Sequence, residues 1–298
     1  MKNTISYYYH LTPTSIIKRN QQYEFEINQL KYIFIPCYLS QEYLLFLHSL
    51  TIQLHKQNIP VHTFILNKDN QFITMVQQIP YILMQIHLTN NSLIIFNDIL
   101  RFQEISKNIS LSHVSELDWF QLWTKKIDYL EYQISEFGKK YPIIRESFSY
   151  YVGLSENAIS ILKDAKKSIP YLSHRRLFFN STLYDLYNPL NFIVDTKVRD
   201  IAEYLKDCFF HNHDIRDEIQ YFLNYSHLQC NDYQLLFARF LFPSYYFDCY
   251  EKIIDHGWDE KNLLPIILKN KDYEIILKQI YETISYHCQI PEIFWLKK

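Results

Sequence analysis

Glycine is almost missing from this chain: there are 3 in 298 residues, Gly138, Gly153 and Gly257, and none before position 138. A loop that cradles phosphates needs glycines so that backbone N–H groups can approach the phosphate oxygens and adopt positive φ. No such loop can be built in the first third of the sequence. Cysteine is sparse and scattered: Cys37, Cys208, Cys230, Cys249 and Cys288 are odd in number and include no Cys-x-x-Cys pair. That spacing offers neither a disulfide framework nor a zinc site, and reads mostly as small buried apolar residues. Long apolar runs are lacking too. Stretches such as Tyr81 to Met84 or Leu93 to Phe96 fall far short of the roughly 20 residues that a bilayer span needs. No charged-then-apolar leader opens the chain, because Met1 to Leu11 is rich in Tyr and polar groups. A soluble, cytoplasmic protein at the time of synthesis is therefore expected. Neither sign of charge dominates: 30 Lys and Arg face 32 Asp and Glu, a net charge of -2. That balance predicts no pull toward nucleic acid or an anionic membrane.

What is present suffices for a large core, in one large domain or two lobes. Tyr23 to Cys37 alternates Tyr23, Phe25 and Ile27, turns near Asn28 and Gln29, and returns through Tyr32 and Phe34 to Pro36. This pattern predicts a β-hairpin. Ser40 to Asn58 is helical, with Leu44, Leu47, Leu50 and Leu54 on one stripe and Ser40 as N-cap. Val61 to Leu66, Gln71 to Val76 and Pro80 to Ile86 read as three short strands. About five strands and one helix are thus expected over residues 1–88, and a mainly helical region over 89–298.

In that second region Leu93 to Ile105 is one helix. Ser115 to Phe137 is the clearest, with Trp119, Leu122, Trp123, Ile127, Leu130 and Ile134 three and four apart, Ser115 and Asp118 as a capping pair, and Gly138 as its stop. A further helix runs from Pro142 to about Lys166, with a break or kink near Gly153. Helices over Val198 to Phe210, Asp214 to Tyr225, Asn231 to Leu241, Ser244 to Asp255 and Lys271 to Cys288 follow, with Asp214, Asn231 and Ser244 as N-caps and Gly257 as a terminator. The cluster His211, His213 and Asp214 reads as exposed polar residues at a helix end rather than a metal site.

The chain is organised around Tyr171 to Leu205, where a His-Arg-Arg loop at His174 is followed by an apolar strand, Phe192 to Val194, ending on Asp195. A helix opened by Arg199 and Asp200 comes next. This order resembles the core of the aminoglycoside phosphotransferase and choline kinase superfamily, with its His-x-Asp, an Asn five residues on, and a metal-holding Asp downstream. The Trp119 to Trp123 helix and the phrase Tyr150 to Ala158 resemble, more narrowly, the spore-coat-associated kinase-like proteins of endospore-forming bacteria, in particular the YutH branch. The resemblance implies an α+β, protein-kinase-like two-lobed fold. A small antiparallel-sheet N-lobe with one helix would precede a larger helical C-lobe that carries the catalytic loop.

By the same resemblance, His174 matches the loop His and Asp195 the metal-holding Asp, whereas Arg176 stands in place of the catalytic base and Ser181 in place of the metal-binding Asn. Asp200 is implied as a structural brace of the loop at His174. Arg176 admits two readings, an ion pair with Asp195 or, with Arg175, a site for an anion. Lys31 lies at the start of its strand, away from the place of a phosphate-pairing Lys, and Glu42 complements a helix dipole. An Arg cannot accept a proton, its pKa being above about 12. The expectation is therefore a catalytically degenerate, kinase-like interaction or scaffold component of the spore coat, with other coat proteins as partners and no cofactor. The alternative is an active phosphotransferase or nucleotide-binding enzyme that uses ATP, magnesium and Asp195 with unusual partners.

Overall fold

The computed structural model describes residues 1–88, 92–111, 117–165 and 168–297. The chain gathers into two compact units and does not divide at one point. The first holds residues 1–94, 100–110 and 180–193, and the second holds 95–99, 111–179 and 194–298.

The first unit begins with helix α1 (Lys2–Tyr9), followed by strands β1 (Ile17–Arg19), β2 (Gln22–Ile27) and β3 (Leu30–Pro36), helix α2 (Gln41–Lys56), and strands β4 (Thr63–Ile65), β5 (Thr74–Val76) and β6 (Ile79–Ile86). They form one antiparallel sheet in the order β1-β2-β3-β6-β4, with β5 also paired to β6. Alternation sorts the side chains. Phe25, Tyr32, Phe34, Tyr81 and Leu83 lie on one face and pack with Ile5 and Tyr9 of α1, while the opposite face carries Glu24, Glu26, Lys31 and Ile33. Helix α2 buries Leu44, Leu47, Leu50 and Leu54 completely, and Ser40 caps it by accepting a bond from the Tyr43 N–H at 3.2 Å. α1 and β1 go beyond the expected five strands and one helix; β1 is three residues long, too short for its period to show in the sequence.

Glycine scarcity leaves a mark on the turns. Among the described residues ten non-glycine residues have positive φ, including Asn28 and Gln29 in the β2–β3 turn and Gln77 and Gln78 in the β5–β6 turn. A two-residue type I′ hairpin requires left-handed residues at both central positions, so these Asn and Gln carry a conformation usually left to glycine.

Helix α3 (Phe96–Ser106) crosses the boundary between the units. The second unit contains α4 (Trp119–Phe137), α5 (Pro142–Asp164) and strand β7 (Tyr171–His174). The four-residue α6 (Leu183–Leu186) belongs to the first unit. Strand β8 (Phe192–Asp195) leads into α7 (Arg199–Phe210), α8 (Arg216–Tyr225), α9 (Cys230–Leu241), α10 (Ser244–His256), α11 (Leu264–Leu268) and α12 (Asn270–Ser285). Its core is aromatic, as in the stacked Tyr151 and Tyr246 rings, 3.6 Å apart. The aromatic segment Phe237 to Tyr250 belongs to that core, with Phe237, Tyr246, Phe247 and Tyr250 all buried.

Some local expectations need correction. α5 runs unbroken through Gly153, where helix hydrogen bonding outweighs one glycine's entropy. Gly138 does end α4 as its C-cap, but in a right-handed conformation (φ -57°), its N–H donating to the Ile134 carbonyl. α4 is capped by Asp118, which accepts from Gln121 N–H at 3.0 Å, and Ser115 lies outside the described residues. Caps shift for three later helices: Ile215, Gln229 and Pro243 occupy the N-cap positions in place of Asp214, Asn231 and Ser244, and Gln229 forms a capping box with Asp232. Gly257 does end α10, at φ 68°. No described helix is long and apolar enough to cross a membrane.

Candidate functional site

All four residues of β8 are buried, and the strand delivers the Asp195 carboxylate into the interior of the second unit at 3% exposure. A buried carboxylate must find partners or lose its charge. Asp195 finds four. Its Oδ2 accepts from Arg199 Nη1 at 3.0 Å and from Trp119 Nε1 at 2.7 Å. Its Oδ1 accepts from Arg239 Nη2 at 2.6 Å and from the Thr196 N–H at 2.6 Å. The Trp119 ring also lies over both guanidiniums, 4.8 Å from Arg199 and 4.7 Å from Arg239.

Arg199 does more than pair. From the first position of α7, its Nε donates to the His174 carbonyl at 2.9 Å and its Nη2 to the Arg175 carbonyl at 2.7 Å. The residue thus ties the loop backbone to Asp195. Asp200, the next residue, holds the same loop: Oδ1 accepts from the His174 N–H at 2.9 Å and Oδ2 lies 2.7 Å from Nδ1 of the buried His174 ring. The brace that the resemblance implies at Asp200 and His174 is present as a contact.

Behind Arg239 the charges continue. Glu203 lies 3.7 Å from Arg239 Nη1 and 3.2 Å from Lys206 Nζ. Lys206, only 1% exposed, also donates to the carbonyls of Arg239 (2.6 Å) and Phe242 (3.1 Å) and to Ser244 Oγ (2.9 Å), while Ser244 donates to Glu203 at 3.0 Å. Burial would raise the Glu203 pKa, but Lys206, Arg239 and Arg199 outweigh it and hold the carboxyl down at about 2. Burial pulls Lys206 down to about 8 against the attraction of Glu203. Burial likewise lowers Arg239, though not its charge at neutral pH. Two carboxylates and three cations thus form one enclosed network, with both Asp195 oxygens committed inside it.

Arg176 is the chief correction. It does not pair with Asp195; its guanidinium forms an ion pair with Asp248 in the second turn of α10 and stands over the Phe178 ring. The neutralisation of Asp195 foreseen for Arg176 is supplied by Arg199 and Arg239 instead. Ser181 belongs to the first unit, where its buried carbonyl accepts from the Ile94 N–H at 2.9 Å. Among the described residues no group of three or more His, Cys, Asp or Glu is placed to hold a metal. His211, half-exposed, stacks on Phe179 at 3.9 Å, and Asp214 pairs with Arg216 on the surface.

Sequence reading missed Trp119, Arg199, Glu203, Lys206 and Arg239. Two of them leave a trace. Arg199 stands four residues after Asp195, and Arg239 is the single charge in the apolar run Leu235 to Phe242, where a cation implies a buried partner.

In the first unit the sheet face opposite α1 bounds an open cavity of about 640 Å³, lined by Arg19, Glu24, Glu26, Lys31, Ile33 and Tyr184 among others. Glu24 is held by Arg19 at 3.7 Å, and the β1–β2 turn is pinned by a bond from Tyr81 Oη to the Gln21 carbonyl at 3.2 Å. Lys31 pairs in register with Ile86, and among the described residues it forms no ion pair with Glu42, which is exposed on α2.

Comparison with known proteins gives this geometry a context. Over 96% of both chains, the fold is similar to an aminoglycoside phosphotransferase from Alicyclobacillus acidocaldarius, with TM-score 0.66 at 10% identity. It is also similar to a spectinomycin phosphotransferase solved with ADP and spectinomycin, with TM-score 0.57 at 13% identity over 96% of this chain and 92% of that one. The fold is thus protein-kinase-like, an antiparallel sheet region followed by a mainly helical one. In sequence the chain is 29% identical over 211 residues to the endospore coat-associated protein YutH of Bacillus subtilis strain 168, matching 60% of this chain. It spans about 61% of that relative's length. The family model described as "Spore coat putative kinase YutH" matches residues 2–280, and the chain belongs to that family.

Proposed function

We propose that this protein is a kinase-like component of the spore coat that has given up phosphoryl transfer and acts through its surface as an interaction or scaffold element. The observation that carries this reading is the state of Asp195. A carboxylate that serves a magnesium ion needs free oxygen lone pairs, and here both oxygens accept from N–H donors, two of them guanidiniums. Arg199 and Arg239 bring two positive charges to the carboxylate, the charge a divalent cation would bring. A metal at this point would have to displace them, so the residues present do not fit one, and no step is routed through it.

Other features agree. The residue in the place of the catalytic base, Arg176, is a cation paired with Asp248. Loss of a positioned base typically removes about 10²–10⁴ in rate. On the sheet face of the first unit, Glu24 and Glu26 point toward the cavity, and the β1–β2 turn, Asn20 and Gln21, contains no glycine. Arg19 and Lys31 line the same cavity and balance those two charges, while a turn without glycine keeps backbone N–H groups away from a nucleotide's phosphates. Placement in the coat follows from the relative, which is named as endospore coat-associated; other coat proteins are the implied partners.

A thermal-shift titration with ATP and magnesium tests the reading. The expected outcome is no nucleotide-dependent rise in Tm. A magnesium-dependent rise that is lost in Asp195→Asn overturns it in favour of the second reading, a nucleotide-using phosphotransferase, which the 640 Å³ cavity favours. Fractionation of spores supplies the other half: the protein is expected in the coat fraction.

A further inference from the structure

Cys230 and Cys288 are 58 positions apart in the sequence, a separation no local pattern would connect. The fold brings them together in the second unit. Cys230 opens α9 and is exposed; Cys288 follows α12 and is buried, and both thiols are free. The two chain segments are joined immediately beside them. The Tyr233 ring stacks on His287 with centroids 5.0 Å apart and planes within 9°, and Gln234 Nε2 donates to the Gln289 carbonyl at 3.0 Å. Burial first, and the adjacent Cys230 thiol second, push the Cys288 thiol up to about 12.

We propose that Cys230 and Cys288 are a redox pair that closes into a disulfide when the protein meets a low-molecular-weight disulfide, RSSR. The exposed Cys230, as thiolate, attacks one sulfur of RSSR, breaking its S–S bond and releasing RS⁻, which leaves as RSH. Cys288, as thiolate, then attacks the Cys230 sulfur of the mixed disulfide and expels the second RS⁻, which also leaves as RSH. The two cysteines are oxidised by two electrons, RSSR is reduced to two RSH, and the two cysteine protons end on those thiols. Because the thiolate is the nucleophile and Cys288 is held protonated, closure is the slow step and quickens as pH rises. The bond would clamp α9 to the end of α12, and α9 carries Arg239, the guanidinium on Asp195. Oxidation would therefore lock the helix that keeps this carboxylate occupied.

The test uses the full chain, folded, with oxidised glutathione as RSSR, followed by alkylation, proteolysis and mass spectrometry. The expected result is a Cys230–Cys288 linked peptide within a monomer, three alkylated cysteines, and a Tm raised by about 5 °C that dithiothreitol reverses. Cys230→Ser, at an exposed position, is expected to fold normally and lose both the linkage and the Tm rise, while Cys249→Ser keeps them. Glutathione retained on Cys230 without closure, linkage only in denaturant, or disulfide-linked dimers would each overturn the proposal.

Discussion

Asp195 decides how this molecule is to be understood at the scale of the residue, because its substitution separates two kinds of aspartate. A carboxylate kept available for a ligand is dispensable to stability. One that balances two buried guanidiniums is not. Asp195→Asn should therefore destabilise the protein by about 3–5 kcal/mol, the usual cost of leaving buried charge without its partner. Urea denaturation measures it, and a loss below about 1 kcal/mol would show that Arg199 and Arg239 are satisfied without it. Trp119→Phe keeps a ring over the guanidiniums but removes one donor to Asp195 Oδ2, and should cost about 1.5–3 kcal/mol. The importance of Asp195 and the Asp200–His174 brace could be read from the resemblance. Which cations meet Asp195 could not, because Arg239 lies 44 positions away and no periodicity links the two.

Most elements declared themselves through periodicity. Helix α2 with its leucine stripe, the β2–β3 hairpin and the long α4 all follow from spacings of two, three and four residues. The turns are where sequence and conformation disagree. Gln77 and Gln78, at φ 49° and 67°, occupy left-handed positions that suit glycine. Gln78→Gly should raise stability by roughly 0.5–1 kcal/mol, the relief of a left-handed conformation that costs about 1–2 kcal/mol less the chain entropy that glycine adds. The opposite change, Gly257→Ala at φ 68° with open space around the new Cβ, should lower stability by about 1 kcal/mol. Both changes are small enough to be read by calorimetry on the intact chain. Caps were the least legible feature, since the helix starts fall at Ile215, Gln229 and Pro243, residues other than the Asp, Asn and Ser that usually mark an N-cap.

Across the whole molecule, buried ionisable groups give stability a definite pH profile. His62 is held down at about 4, by burial first and then by repulsion from His87. Its unfolded form takes a proton near pH 6.5 while the folded form does not. Stability from this group is complete above pH 6.5 and falls as pH drops toward 4. Glu203, held at about 2, keeps its contribution above its unfolded pKa near 4.5 and loses it between there and pH 2. Each step is on the order of 3 kcal/mol. Lys206, lowered to about 8, acts at the other end, so stability rises again between pH 8 and about 10.5. Denaturation measured from pH 2 to 11 should show these slopes; Glu203→Gln should flatten the one below pH 4.5, and His62→Asn the one above pH 4. By itself the sequence determined the order of the strands and helices from β2 onward in the sheet region and of the long helices after it, the want of a glycine-rich phosphate loop and the family frame around His174 and Asp195, because these rest on local spacing and on the order of motifs. Only the tertiary structure decided that Arg199, Arg239 and Trp119 occupy Asp195, that Arg176 goes to Asp248, and that Cys230 meets Cys288. A buried charge or thiol takes whichever partner the packing of distant helices brings within about 3–4 Å, and that choice is written in no single stretch of the chain.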